Sequence, residues 1–168
     1  MIELYLVRHA IAEDRDPGRW PDDSLRPLTA DGVARFERAA RGLKRLAPDI
    51  DAVLASPFAR AWATAEILER EAGWPAPVQA AELAAMRSPV DALALLEESG
   101  SAAIALVGHE PSLSALASLL LTGAGDSLEI ELKKGGVIAL GLPGPTATGA
   151  AFLRWAATPR LLRGLAAG

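Results

Sequence analysis

Short apolar runs alternate with amphipathic stretches along most of this chain, and the alternation predicts its elements. Ile2 to Val7 is mostly apolar and rich in strand formers, the pattern of a central strand buried on both faces. Val33, Phe36, Ala40 and Leu43 recur at helical spacing behind Thr29, a natural N-cap. They predict a helix ending near Leu46, ahead of Pro48. Ala52 to Ala55 is a second buried strand. Ser56 to Thr64 then opens a helix that carries Ile67 and Leu68 inward and stops near Gly73. A short strand is expected around Val78. Ser88 and Pro89 supply an N-cap and a first-turn proline for a helix that turns Val90, Leu93 and Leu96 inward and ends at Gly100.

Ala103 to Val107 is the next buried strand. Pro111 begins a helix with Leu113, Leu116, Ala117 and Leu120 on one face. Gly136 to Leu142 and Ala151 to Trp155 read as a hairpin joined by PGPTATG, and Thr158 to Gly168 as a short closing helix. Strand and helix in alternation predict an α/β fold. It has three layers, α/β/α, with a mostly parallel central sheet and an antiparallel edge. One domain over residues 1–168 is expected, since no repeat or linker interrupts the pattern.

Composition narrows the function. Hydrophobic residues make up 51% and charged residues 23%, an ordinary globular balance. A net charge of −4 argues against nonspecific nucleic-acid binding. There is no cysteine, which excludes a thiolate nucleophile and a cysteine-based zinc site. No apolar run reaches the ~18 residues of a membrane helix. The opening MIELYLVRHA is too short and lacks the basic leader of a signal peptide. These features lead to the expectation of a soluble, cytoplasmic monomer with no membrane or nucleic-acid partner, no cofactor and no metal.

The chemistry sits where the strands end. Arg8 and His9 follow the first strand, Ser56 and Arg60 the second, and His109 the strand at Ala103 to Val107; the chain has only 2 histidines. In parallel sheets ligands bind outside the carboxyl ends of the strands. If these strands are neighbours, two imidazoles and two guanidinium groups converge on one crevice, a site for a tetrahedral dianion. The helix N-termini after Ser56 and Pro111 add dipole of the same sign. A neutral imidazole can attack phosphorus and form a phosphohistidine that water then hydrolyses. Neighbouring positive charge is expected to depress the pKa of His9. Ser56 reads as a turn or cap residue. The acidic loop Ala10 to Asp23 reads as solvated, and the four tryptophans as packing residues.

VRHA, SPFARAWAT and GHEP, in this order and each after a predicted strand, resemble the signature motifs of the histidine phosphatase superfamily, the phosphoglycerate mutase-like fold. With RPLTADG and the short chain, the resemblance is strongest to the SixA-type phosphohistidine phosphatases, over residues 1 to about 120. The resemblance implies that His9 is the phosphorylated nucleophile. It implies that Arg8 and Arg60 bind the phosphoryl group, with His109 as the second pocket histidine and Arg26 facing the substrate. Glu82 stands about where many members carry a general acid. SixA-type enzymes resemble a version that needs no strong acid, because imidazole leaves more easily than an alkoxide. The family's Arg-His-Gly is here Arg-His-Ala, so Ala10 must either keep a negative φ or accept strain.

Under 50 residues separate the second strand from Ala103, and all are committed to predicted elements, which leaves no room for a lid. An open site suits a phosphorylated protein, phosphohistidine first. The alternatives are a small phosphomonoester, such as a sugar or nucleotide phosphate, and a catalytically silent phosphate-binding module.

Overall fold

Strand β1 (Ile2–Arg8) lies inside a six-stranded sheet, flanked by a strand on each side, which accounts for its apolar sequence on both faces. The structure is a computed structural model describing residues 1–145 and 148–167. Thr146 and Ala147 of the predicted hairpin turn, and Gly168 of the tail, lie outside the described residues. The other strands are β2 (Ala52–Ala55), β3 (Val78–Gln79), β4 (Ala103–Gly108), β5 (Val137–Leu142) and β6 (Phe152–Ala157). Their order is β3-β2-β4-β1-β5-β6. The first four are parallel. The antiparallel part is confined to the β5–β6 end, where β5 pairs antiparallel with both β1 and β6.

Helices α1 (Ala30–Leu46), α2 (Ala59–Ile67), α3 (Asp91–Ser99), α4 (Ser112–Thr122) and α5 (Pro159–Ala166) cover the two faces. The two-residue period of β1 decides which helices meet which side chains. Tyr5 and Val7 join a core with Phe36 and Leu43 of α1, Ile67 of α2 and Leu162 of α5. Leu4 and Leu6 join a second core with Leu95 and Leu96 of α3 and Leu113, Leu116 and Leu120 of α4. The result is the expected three layers. Helices α1 and α5 approach so closely at Gly42 that an added Cβ would lie 1.8 Å from the Leu162 carbonyl oxygen.

Local signals placed most ends well. The Thr29 hydroxyl accepts the Gly32 N–H at 2.9 Å and caps α1. Thr158 caps α5 in the same way, with Pro159 in the first turn. One prediction moves. Ser88 caps a turn, accepting from Val90 N–H at 3.3 Å, and α3 begins only at Asp91. Val90 therefore precedes the helix and is exposed, and the buried face is Ala92, Leu95 and Leu96. Of the tryptophans, Trp62, Trp74 and Trp155 pack on the core, with Trp74 and Trp155 both against the Tyr5 ring. Trp20 does not; it lies in the polar loop under Arg19. No helix among the described residues is long and apolar enough to cross a membrane.

Candidate active site

The carboxyl ends of β1, β2 and β4 are adjacent in the sheet, so their terminal residues meet. Arg8, His9, Arg26, Arg60 and His109 all line one pocket of about 360 Å³. The imidazole rings of His9 and His109 are 5.2 Å apart between centroids. Phe58 packs on His109 at the same centroid separation of 5.2 Å.

His9 is buried, and its Nδ1 lies 2.7 Å from the Ala10 carbonyl oxygen. A carbonyl only accepts, so Nδ1 carries the proton and donates it. The lone pair of the neutral ring is then on Nε2, which has no hydrogen-bond partner among the described residues and is not sealed from the pocket. Burial pushes the His9 pKa down to about 3, helped by Arg60, Arg8 and Lys134 and opposed by the bond to Ala10. Desolvation is thus the leading cause, and neighbouring charge, the cause expected from the sequence, is secondary. Ala10 keeps out of the left-handed region. Its N–H donates to Thr64 Oγ1 at 3.0 Å, and that hydroxyl donates to the Arg60 carbonyl at 2.7 Å. The alanine therefore fits without backbone strain.

His109 Nε2 is hydrogen-bonded to Ser56 Oγ at 2.8 Å, and the same Oγ accepts the Phe58 N–H. Ser56 thus anchors a ring and a turn. Burial, then His9 and Arg60, push the His109 pKa down to about 3. Arg8 donates from Nη1 to the Leu132 carbonyl at 2.8 Å. Arg60, almost fully buried, donates from Nη1 and Nη2 to the carbonyl and carboxylate of Asp23 at 2.9 and 3.0 Å. Burial lowers the pKa of both guanidinium groups from their ordinary value, with Glu110 pulling Arg8 upward and Asp23 pulling Arg60 upward. Arg8 Nε, Arg60 Nε and His109 Nδ1 are buried without a hydrogen-bond partner among the described residues.

The geometry describes a cationic cleft around a neutral imidazole whose unprotonated nitrogen is free. The family comparison decides whose cleft it is. The model of the histidine phosphatase superfamily (branch 1) matches residues 4–87. The chain belongs to that superfamily. It is a phosphatase by that membership. A protein of uncharacterised function from Picosynechococcus sp. is 37% identical over 142 residues, 83% of this chain and 84% of that relative. The protein histidine phosphatase SixA solved with tungstate is 24% identical, covers 96% of this chain and 99% of its own, and superposes with a TM-score of 0.82. A Nakamurella multipartitia protein proposed to be a phosphohistidine phosphatase SixA is 27% identical over 94% of this chain and 96% of its own, with a TM-score of 0.75.

In this histidine phosphatase Glu82 is not brought to the cleft. It follows β3 in a short 3₁₀ turn (Ala81–Leu83) and lines a different cavity, between β2, β3 and α3. The acids that do line the cleft are Glu13, Asp14, Asp23 and Glu110. Glu110 spends both oxygens on Ser114, accepting its N–H and hydroxyl, as an acid at a helix N-terminus should. Asp23 is the first of two residues that sequence reasoning missed. It accepts from Arg26 Nε at 2.8 Å as well as from Arg60, and those bonds and charges hold its carboxyl below the usual range. Arg26 also donates to the Glu13 carbonyl at 2.7 Å. Lys134 is the second omission. Because β5 runs against β1, its start lies beside the end of β1, and Gly135 N–H donates to the carbonyls of both Arg8 and His9. That contact puts Lys134 on the pocket wall. Among the described residues no cluster of three or more His, Asp or Glu is placed to hold a metal ion.

Proposed function

We propose that this histidine phosphatase removes the phosphoryl group from phosphohistidine on a protein, through a covalent intermediate on His9. The observation that carries the reading is the tethered Nδ1–H of His9, which leaves the Nε2 lone pair facing the cleft. Nε2 attacks phosphorus, the bond from phosphorus to the leaving nitrogen breaks, and water then cleaves the new P–N bond to release inorganic phosphate. Arg8 and Arg60 supply positive charge to the equatorial oxygens, the main requirement of phosphoryl transfer, without a metal ion. With the Ser56 hydroxyl donating to His109 Nε2, the second ring keeps its proton on Nδ1 as a further donor.

The leaving group follows from the acids. Asp23 is held ionised by two arginines, Glu110 gives both oxygens to Ser114, and Glu82 is elsewhere, which leaves Glu13 and Asp14 as the cleft's remaining carboxyls. A phosphorylated imidazole protonated on its other nitrogen departs as neutral imidazole, whereas an alkoxide needs an acid to protonate it. This chemistry favours phosphohistidine over a phosphate ester. The open cleft favours a macromolecule: between β2 and β4 the chain contains only α2, β3, α3 and their turns. The rival is a small phosphomonoester, which a pocket of about 360 Å³ can accommodate.

The test is a side-by-side rate comparison. The substrates are a protein phosphorylated on histidine with phosphoramidate, phosphoserine peptides, and sugar and nucleotide phosphates. The phosphohistidine protein should give the highest kcat/KM. A higher value for any of the small metabolites would reject the protein-substrate reading.

A further inference from the structure

Met86 combines three unusual properties. It is the one described residue other than glycine with a left-handed backbone, at φ 69°. Its side chain is 89% exposed, more than any other large hydrophobic side chain. It also borders the pocket that holds His9. The backbone around it is a turn in which Arg87 N–H donates to the Ala84 carbonyl at 3.3 Å, so Met86 occupies the third position, where a left-handed φ calls for glycine or asparagine. The flanks are fixed. Ser112 Oγ, at the start of α4, donates to the Arg87 carbonyl at 2.9 Å, and Arg87 pairs with Asp91 at 3.0 Å. Long side chains take this conformation only where surrounding structure imposes it. Glycine would relieve the backbone and a polar side chain would suit the solvent; methionine does neither. What an unbranched thioether offers is adaptable contact with apolar surfaces of varied shape.

We propose that Met86 is a specificity-determining contact that grips the polypeptide around the phosphorylated residue of a protein substrate. Its thioether is buried there against an apolar side chain next to that residue. The inference rests on the protein-phosphatase reading above. The occupant follows from continuity with the cleft: a phosphoryl group on Nε2 of His9 lies at the bottom, and Met86 stands at the solvent edge, where the chain carrying that group must pass. An ester such as p-nitrophenyl phosphate carries no polypeptide to make this contact.

The experiment compares wild type, Met86→Ala and Met86→Gly on the phosphoramidate-phosphorylated protein and on p-nitrophenyl phosphate. The glycine variant removes the side chain while suiting the left-handed backbone, so it separates lost contact from altered turn geometry. Both variants should raise KM for the protein about tenfold while kcat/KM for p-nitrophenyl phosphate stays within about twofold. An unchanged KM for the protein with either variant, or a parallel loss on both substrates, would overturn the proposal. If wild type itself does not act on the phosphorylated protein, the substrate reading fails first and this inference fails with it. If wild type acts on it and the variants match wild type, only the role of Met86 fails.

Discussion

Ser118 in α4 and His109 just before that helix are both buried, but their polar atoms fare differently. Ser118 Oγ donates to the Ala124 carbonyl at 2.6 Å and accepts the Leu128 N–H at 3.0 Å. Thr64 Oγ1 is likewise used twice, and Trp74 Nε1 donates to the Ala47 carbonyl at 2.9 Å. In the cleft, His109 Nδ1, Arg8 Nε and Arg60 Nε are sealed from solvent and unpaired. Among the described residues only Trp20 Nε1, in the loop preceding Asp23, shares that state. Buried polar groups are nearly always partnered, because each one left unpaired costs about 1–3 kcal/mol. Apart from Trp20, the described buried side chains of the scaffold obey that rule, and the cleft departs from it with positive charge nearby. The same fold thus keeps a largely satisfied interior beside an unsatisfied, positively charged edge.

Substitutions should separate the two regions. The largest effect belongs to His9→Ala, expected to lower kcat on p-nitrophenyl phosphate by about 10⁴-fold or more in steady-state assays. Full activity in that variant would leave the mechanism without its nucleophile. Next, Arg60→Ala should lower kcat/KM by about 10²- to 10³-fold, as the loss of a group that stabilises transition-state charge does. Arg60→Lys should recover only part of it, since an ammonium cannot keep the two-armed hold on Asp23. Ser118→Ala should do the reverse. It orphans the Ala124 carbonyl and the Leu128 N–H and should lower stability by about 1–3 kcal/mol in urea unfolding, with turnover unchanged.

The two imidazoles are expected to show no titration near neutrality. Both histidines have folded pKa values pushed down to about 3 from an ordinary value of 6.5. In the free enzyme neither ring should titrate between pH 8 and 5 by NMR. The unfolded chain binds more protons than the folded one between about pH 6.5 and 3, so stability should fall as pH drops through that window. Two imidazoles titrating near neutrality would contradict the burial that defines the cleft.

Much of this was legible in the sequence because it depends on local signals. The apolar runs of β1, β2 and β4 end on Arg8, Ser56 and Gly108, and the parallel order of those strands then forces His9, Arg60 and His109 together. Thr29 announced its helix by side-chain chemistry. What stayed hidden depends on contacts between distant positions. Asp23 looked like one acid among several in a polar loop, and its meaning lies in Arg60, 37 positions away. Lys134 reaches the cleft only because β5 runs backwards beside β1, a pairing that no local pattern encodes. Glu82 lies at the expected point in the chain, but the 3₁₀ turn after β3 directs it to another cavity. The face of α3 shifted because Ser88 caps a turn and not the helix itself.

The central claim, that the phosphoryl group passes through His9 Nε2, is most directly tested by trapping the enzyme during turnover. Wild-type enzyme mixed with the phosphoramidate-phosphorylated protein, quenched in alkali within milliseconds and digested, should yield an acid-labile, alkali-stable phosphoryl group on the peptide carrying His9, attached at Nε2 by ³¹P NMR. A phosphoryl group on His109 or Ser56, or turnover with no phosphoenzyme at any quench time, would contradict it.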